Sequence, residues 1–351
     1  MSNIHEEVQE YYGSELEKSE DLKTNACCTL VKPPKHILEA LRLVADEVQA
    51  KYYGCGLTIP SAVEGLRILD LGSGSGRDCY IAGKLVGENG SVVGVDMTDE
   101  QLKVANDHLE HHRKAFGYAK SNVEFIKGNI EKLDELNLEK GSFDIIISNC
   151  VINLASDKQK VLNDAYDLLK PGGEMYFSDV YSDRRVPQAL QNDKVLWGEC
   201  LSGALYWNDF LNIAKKAGFT DPRAVEDKPI TIENEEVEEL VGDISFYSVT
   251  YRLMKIDGLE SDCEDYGQAV AYKGGIPENE MAFMLDDHHY FPKGKMITVC
   301  GNTYKMLSDT RFKQYFDFYG TWDVHYGIFE GCGGNMPFTS SLEGSEAASC
   351  C

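Results

Sequence analysis

Long hydrophobic runs are missing from this chain. Its longest stretch of branched aliphatic residues is Ile145-Ile146-Ile147, far short of the roughly 20 apolar residues of a membrane-spanning helix. Basic residues are scarce: 34 Lys and Arg stand against 58 Asp and Glu, a formal net charge of −24. Such a surface repels phosphate backbones, so neither nucleic acid nor an anionic membrane is an expected partner. The first residues carry Glu6, Glu7, Glu10, Glu15, Glu17, Glu20 and Asp21. That is the reverse of a basic, then apolar, secretory signal, and a cytoplasmic location is expected. No C-x-x-C pair and no tight Cys/His quartet occurs, which argues against a zinc finger or ribbon. The eleven cysteines are odd in number. With no secretory signal, a disulfide scaffold is not expected, and the thiols are expected to be mostly reduced.

The 351 residues suggest about two to three domains. Residues 1–34 are polar and read as a short helix, Ile4 to Tyr12, and a loop carrying Cys27-Cys28. Apolar residues at spacings of three and four predict one helix over 35–52, closed by Tyr52-Tyr53-Gly54-Cys55-Gly56. From residue 66 strands alternate with helices. The predicted strands are 66–70, 91–96, 123–126, 143–148 and 174–180, with helices near 79–85, 99–114 and 157–169 between them. The fourth strand is nearly all apolar, as when both faces are covered. Repeated β-α-β units of this length predict a parallel-type sheet with helices on both faces, a Rossmann-like α/β domain. Further on, a helix is expected over 207–217 and a strand over 245–256. Residues 226–265 hold thirteen acids and three bases, and 257–265 reads as a solvated linker. Residues 266–330, rich in Tyr and Phe, read as a small separate α+β module, and 338–351 as a disordered tail.

The first predicted strand, with Asp70 at its end, runs into Gly72-Ser73-Gly74-Ser75-Gly76. Glycines there let backbone N–H groups approach a ligand that side chains would block. The dinucleotide fingerprint requires glycine at position 77, which is Arg77, and no Gly-Lys-Ser/Thr follows for a Walker loop. Glycines alone are equally a tight turn. The complete pattern is more specific, because Asp96 ends the second strand 22 residues after Gly74, where an acid accepts from two ribose hydroxyls. Together these features fit a nucleoside ligand without pyrophosphate, S-adenosylmethionine. The expected contacts are Gly72, Ser73, Gly74, Asp96 and the adjoining Met97. After the third strand come Asn129, Ile130 and Glu131, an apolar side chain for the purine and a carboxylate for its amino group, or else an ordinary strand-to-loop junction. Tyr53 is expected to cap the methionine end with its ring toward the sulfonium, although a Tyr-Tyr pair is more often core. Asn149, at the fourth strand's end, is expected near the transferred methyl.

Cys150 follows that strand directly, Cys200 lies beyond the fifth strand, and Cys55 precedes the sheet. Any one of them alone reads as a small buried hydrophobe. Three around one crevice select a soft, thiophilic methyl acceptor. No histidine stands at a predicted strand end; His36, His108, His111 and His112 fall on helices. The chain resembles the arsenite S-adenosylmethionine methyltransferases from Thr24-Asn25-Ala26-Cys27 to about residue 335. The resemblance is carried by residues 52–56 (YYGCG), 68–80 (ILDLGSGSGRDCY), 148–154 (SNCVINL), 176–181 (YFSDVY) and 195–207 (VLWGECLSGALYW). The glycine loop is common among methyltransferases, whereas the cysteine-bearing strings are specific.

The resemblance implies that Cys55, Cys150 and Cys200 hold As(III). It implies that Cys27, beside the extra Cys28, pairs with Cys55 in a disulfide during turnover, with glutathione or thioredoxin as outside reductant. No family role transfers to Cys79, Cys263, Cys300 or Cys332. The expected division is an N-terminal cysteine-bearing segment (1–60), a cofactor domain (61–185), an arsenic-binding domain (186–256), a C-terminal domain of unclear role (257–337) and the tail, in a monomer. The expected reaction is attack of the thiolate-bound As(III) lone pair on the sulfonium methyl, first on arsenite and then on monomethylarsenite, as a detoxification. The alternatives are a C-, O- or N-methyltransferase with structural cysteines and a non-catalytic thiol metal sensor.

Overall fold

A computed structural model describes residues 33–52, 54, 58–191, 196, 201–232 and 234–332. The predicted 35–52 helix forms as two pieces, α1 (Lys35–Leu41) and α2 (Asp46–Ala50). They separate at Ala45, whose N–H leaves the helix and donates to His112 Nε2 at 3.2 Å. The alternating region then builds β1 (Arg67–Leu71), α3 (Arg77–Val86), β2 (Ser91–Asp96), α4 (Asp99–Asp107), α5 (Leu109–Phe116), β3 (Val123–Lys127), β4 (Phe143–Asn149), α6 (Lys158–Leu168) and β5 (Leu169–Ser182). The predicted 99–114 helix breaks at His108, whose Nδ1 bonds the Val104 carbonyl at 2.9 Å and competes for the acceptor that would continue the helix.

Beyond β5 come β6 (Leu205–Tyr206), α7 (Trp207–Ala217), β7 (Arg223–Pro229), α8 (Glu235–Val241) and β8 (Phe246–Met254). Among the described residues eight strands form one sheet in the order β3-β2-β1-β4-β5-β8-β7, with β6 beside β5. The strands from β3 through β5 pair in parallel, while β8 runs antiparallel to β5 and β7. Pleating sends Leu69, Leu71, Val93 and Ile146 to a core against α6 and α7. Ile68, Val92, Ile145 and Ile147 go to the opposite core against α1 and α3. Both faces are therefore covered, as the apolar strands predict. The chain order reverses between β1 and β4, which opens a crevice at the carboxyl ends of those strands.

The remaining chain forms β9 (Glu264–Asp265), β10 (Gln268–Tyr272), β11 (Ala282–Met284), β12 (Tyr290–Pro292), β13 (Met296–Val299), α9 (Gly301–Ser308), β14 (Phe316–Tyr319) and β15 (Gly327–Ile328). It has its own aromatic core of Tyr272, Phe283, Phe291, Phe312 and Phe316. One expectation differs here. The segment 257–265 is not a solvated linker: Leu259 is buried, Asn302 accepts from the Glu260 N–H at 2.8 Å, and β9 pairs with β15. The module, with a core of its own, also shares one buried ion cluster with the sheet. Glu174 on β5, with no exposed surface, pairs with Arg252 on β8 at 2.8 Å and with Arg311 of the module. Arg252 also donates to the Leu285 carbonyl at 2.7 Å. Glu174 stands in a predicted strand, not among the acids of 226–265, and its burial between two arginines is a tertiary event that no local pattern marks.

Candidate active site

The crevice, with the open space at its mouth, spans about 950 Å³. The side chains that reach it come from loops following β1, β2, β3 and β4, plus Lys51 and Tyr52. Gly72 adopts φ +75°, and a Cβ there would lie 2.4 Å from the Val151 methyls, so the loop needs glycine. Asp96 is anchored by its neighbours: Gly74 N–H donates to Oδ2 at 2.8 Å and Thr98 N–H to Oδ1 at 2.8 Å. The Thr98 side chain and the Met97 N–H add to these bonds. Burial raises the Asp96 pKa, opposed by those donors. Ser73 Oγ is buried with no partner among the described atoms.

Gly72, Ser73, Gly74, Asp96, Met97, Asn129, Ile130, Glu131 and Asn149 all line this one cavity, together with Cys150. Asn129 Oδ1 accepts from Glu131 N–H at 2.8 Å, starting the 130–135 turn. Glu131 reaches across to the 156–157 loop, accepting from Ser156 N–H at 2.8 Å and Asp157 N–H at 3.2 Å. Its carboxylate thus clamps one wall. Asn149 Nδ2 donates to Tyr52 Oη at 2.6 Å and to Asp78 Oδ2 at 3.0 Å. Cys27, Tyr53, Cys55 and Cys200 lie outside the described residues.

Cys150 is buried on this wall. Its φ is +56°, and only Ala62 and Asn137 share a positive φ among described non-glycine residues. A side chain held in this sparsely populated region marks a position fixed by its surroundings. The fixing bonds are Cys150 N–H to Ser178 O at 2.9 Å, and Asn153 N–H to Asp179 Oδ2 at 3.0 Å. Cys150 is joined in a disulfide, which differs from the expected reduced thiol; the other described cysteines, Cys79, Cys263, Cys300 and Cys332, are free. Gly54 lies against Asn149, where a Cβ would come 2.8 Å from Nδ2. Leu196 and Leu201 pack in the same cluster as Cys150. Gly203 lies against the Asn153 carbonyl, where a Cβ would come within 2.3 Å.

Sequence reasoning missed several residues here. Tyr52, not singled out beside Tyr53, lines the cavity with the Arg77 guanidinium 3.6 Å from its ring centroid. Asp78 brings a second acid to the same wall as Asp70, which the sequence pattern already placed before the glycines. Burial, with Asp78 and then Asp96 nearby, pushes the Asp70 carboxyl up to about 8, while the Cys79 thiol at 3.1 Å opposes the rise. The signal for both was present: Asp70 ends the strand before the glycines, and Asp78 opens the helix after them. Thr98 and Gln101 had no such signal.

The acids, the glycine approach and the ribose-type carboxylate fit a cationic nucleoside such as S-adenosylmethionine. The fold and this crevice define an S-adenosylmethionine-dependent methyltransferase, and residues 62–218 match the methyltransferase domain family. Residues 266–329 match the arsenite methyltransferase C-terminal domain. The arsenite methyltransferase of Aquipseudomonas alcaligenes is 57% identical over 348 residues, covering 99% of this chain and 100% of that protein. That of Homo sapiens is 49% identical, covering 90% of this chain and 84% of that protein. The crystal structure of an arsenic(III) S-adenosylmethionine methyltransferase from Chlamydomonas reinhardtii superposes with a TM-score of 0.83 at 53% identity, covering 85% of this chain and all of that one. This chain belongs to the arsenite methyltransferase family. It is an enzyme that methylates arsenic with S-adenosylmethionine.

Proposed function

We propose that the methyl acceptor is As(III) held by the thiolates of Cys55, Cys150 and Cys200. The observation that carries this reading is Cys150 itself, fixed at φ +56° on the wall of the cofactor crevice. Gly54, next to Cys55, lies against Asn149, and Leu201, next to Cys200, shares the Cys150 cluster. Thiolates suit a soft acceptor, and serine or carboxylate oxygens would not replace them. Reduction of the Cys150 disulfide must come before arsenic binds.

The cofactor supplies an electrophilic methyl when bound. Asp96 and the Gly72–Gly74 loop would hold its ribose and backbone-facing edge, Ile130 its purine, and Asp70, Asp78 and Asn149 its cationic amino acid end. These residues orient the reactants and keep water out, and positioning of this kind supplies on the order of 7–11 kcal/mol of a two-reactant barrier. The arsenic lone pair is the nucleophile, so no general base is required. Methyl transfer leaves arsenic oxidised by two electrons. Cys27 and Cys55 return them by closing a disulfide, and glutathione or thioredoxin reopens it. Further readings are that residues 186–256 carry the arsenic-binding region beside the 61–185 cofactor region, and that the protein acts as a cytoplasmic monomer.

Valence makes the ligand set testable. Arsenite has three exchangeable positions and monomethylarsenite two. Cys150→Ser and Cys200→Ser are expected to abolish methylation of both substrates. Cys55→Ser and Cys27→Ser are expected to lose arsenite methylation and keep measurable methylation of monomethylarsenite. Chromatographic speciation of the products decides it; equal loss of both activities in Cys55→Ser and Cys150→Ser overturns the two-thiolate second step.

A further inference from the structure

The C-terminal module also grips the chain that leads from the crevice wall into β1. Thr58, Ile59 and Val63 are buried, and the last two pack in the core that holds Ile68, Ile145 and Ile147. Between them, Ser61 and Ala62 meet the module. Glu278 Oε1 accepts from Ala62 N–H at 3.0 Å, and Asn279 Nδ2 donates to Ser61 Oγ at 2.7 Å. Arg311 donates to the Ser61 carbonyl from Nε at 3.2 Å and from Nη2 at 3.0 Å. Ala62 packs against the module's aromatic core. Each of these contacts joins residues more than 200 positions apart, so none is a local turn.

The gripping groups are themselves fixed. Glu278 and Asn279 belong to the turn Pro277–Asn279, whose Asn279 carbonyl accepts from Oη of the buried Tyr272 at 2.9 Å. Arg311 is held from its other side by Glu174 of β5. In the sheet Glu174 stands opposite Ile145, on the strand that ends in Asn149. The anchor and the crevice wall are therefore built on the same pair of strands. Ala62 has φ +59°. A non-glycine residue keeps that conformation only where its surroundings impose it. Here they are the bond to Glu278 and the packing on the module. At the other end of the segment Tyr52 Oη accepts from Asn149 Nδ2 at 2.6 Å, and Gly54 lies against the same amide.

We propose that Glu278, Asn279 and Arg311 are positioning residues for methyl transfer: by fixing Ser61 and Ala62 they fix the chain between Tyr52 on the crevice wall and Pro60. That chain carries Cys55, six residues before Ser61, so the proposal rests on the reading of Cys55 as an arsenic ligand. A short run pinned at both ends has fewer conformations to lose when it closes on a substrate, and binding gains by that saving. Arsenite, with three exchangeable positions, calls on Cys55. Monomethylarsenite, with two, does not. The module's grip thus favours the first methylation over the second, and it gives the C-terminal region a part in the reaction without touching substrate or cofactor.

The test compares the full-length chain with Glu278→Ala/Asn279→Ala, which leaves the Arg311–Glu174 pair in place. Amide hydrogen exchange is followed in the peptide covering 58–63, and steady-state kinetics with arsenite, monomethylarsenite and S-adenosylmethionine. Exchange in 58–63 is expected to quicken while the sheet strands stay protected. The KM for arsenite is expected to rise on the order of tenfold, the effect of losing one or two hydrogen bonds. The KM for S-adenosylmethionine and the methylation of monomethylarsenite are expected to stay near wild type. Glu278→Gln keeps an oxygen acceptor for the Ala62 N–H and is expected to restore most of what Glu278→Ala loses. Lys293→Ala removes only a neighbouring pair with Glu280 and is expected to move none of these readings. Asn279→Ala alone is expected to give the same pattern more weakly, and it decides the matter if the double variant does not fold. Unchanged exchange in 58–63, or equal losses on both arsenicals, overturns the proposal. Normal arsenite methylation by Cys55→Ser would sink the ligand reading instead, and exchange in 58–63 would still report the grip of the module.

Discussion

The cofactor crevice and the junction with the C-terminal module are built by opposite routes. The crevice is assembled from strand ends and the loops that follow them, so several of its contributors, Gly72, Gly74, Asp70 and Asp96 among them, are marked in the sequence. The junction is assembled from Glu174, Arg252 and Arg311, separated by 78 and 59 residues with no motif around any of them. One region is polar because it binds a charged ligand. The other is polar inside because two bodies share a buried carboxylate. The comparison teaches that buried charge is not by itself evidence of chemistry.

If the junction is structural, breaking it must cost stability first. Glu174→Ala leaves two buried guanidinium groups without their carboxylate and is expected to destabilise the fold by about 3–5 kcal/mol. Denaturant unfolding checks this, and the surviving folded fraction is expected to bind cofactor normally. Loss of cofactor affinity with unchanged stability would erase the distinction between the regions.

The crevice is expected to respond in the other sense. Asp96→Ala is expected to weaken S-adenosylmethionine binding by roughly 1.5–3 kcal/mol, the worth of hydrogen bonds to a charged group, with arsenite binding in the absence of cofactor near normal. Calorimetric titration with each ligand separates the two; equal losses would make Asp96 structural. Gly72→Ala tests the loop rather than the acid. Its left-handed φ and the Val151 contact predict a cost of about 1–3 kcal/mol, read by thermal unfolding. A wild-type melting curve would show that the loop yields freely.

The five parallel strands β1–β5 and β8 were legible because they are apolar runs bounded by turn residues, and α7 forms over the expected 207–217, whereas the two-residue β6 and the polar, half-exposed β7 carry no such pattern. The glycine loop and Asp96 were legible because a backbone approach and a ribose acceptor need particular residues at fixed chain positions. The breaks at Ala45 and His108 were not, since both depend on side-chain bonds competing with helix carbonyls or N–H groups. The expected helix at Ile4 to Tyr12 and the tail at 338–351 lie outside the described residues.

The last test concerns Asp70, and its sign follows from its raised pKa. In the folded, ligand-free protein the carboxyl titrates near 8, against 3.8 ordinarily. Between those values the folded state holds a proton that the unfolded state has released. Stability therefore falls as pH rises from about 4 to about 8, and the slope vanishes once both states are ionised. Asp70→Asn lacks this slope, so its thermal unfolding curve is expected to flatten relative to wild type between pH 6 and 8. Cofactor affinity moves the opposite way. A cation beside Asp70 favours the carboxylate, so wild-type binding is expected to strengthen several-fold from pH 6.5 to 8.5 and to release a proton at the lower pH. Calorimetry in buffers of different ionisation enthalpy counts that proton. If wild type and Asp70→Asn gave parallel stability and affinity profiles, the acid below the glycine loop would be an inert part of the strand end, and the crevice would resemble the junction more closely than its chemistry suggests.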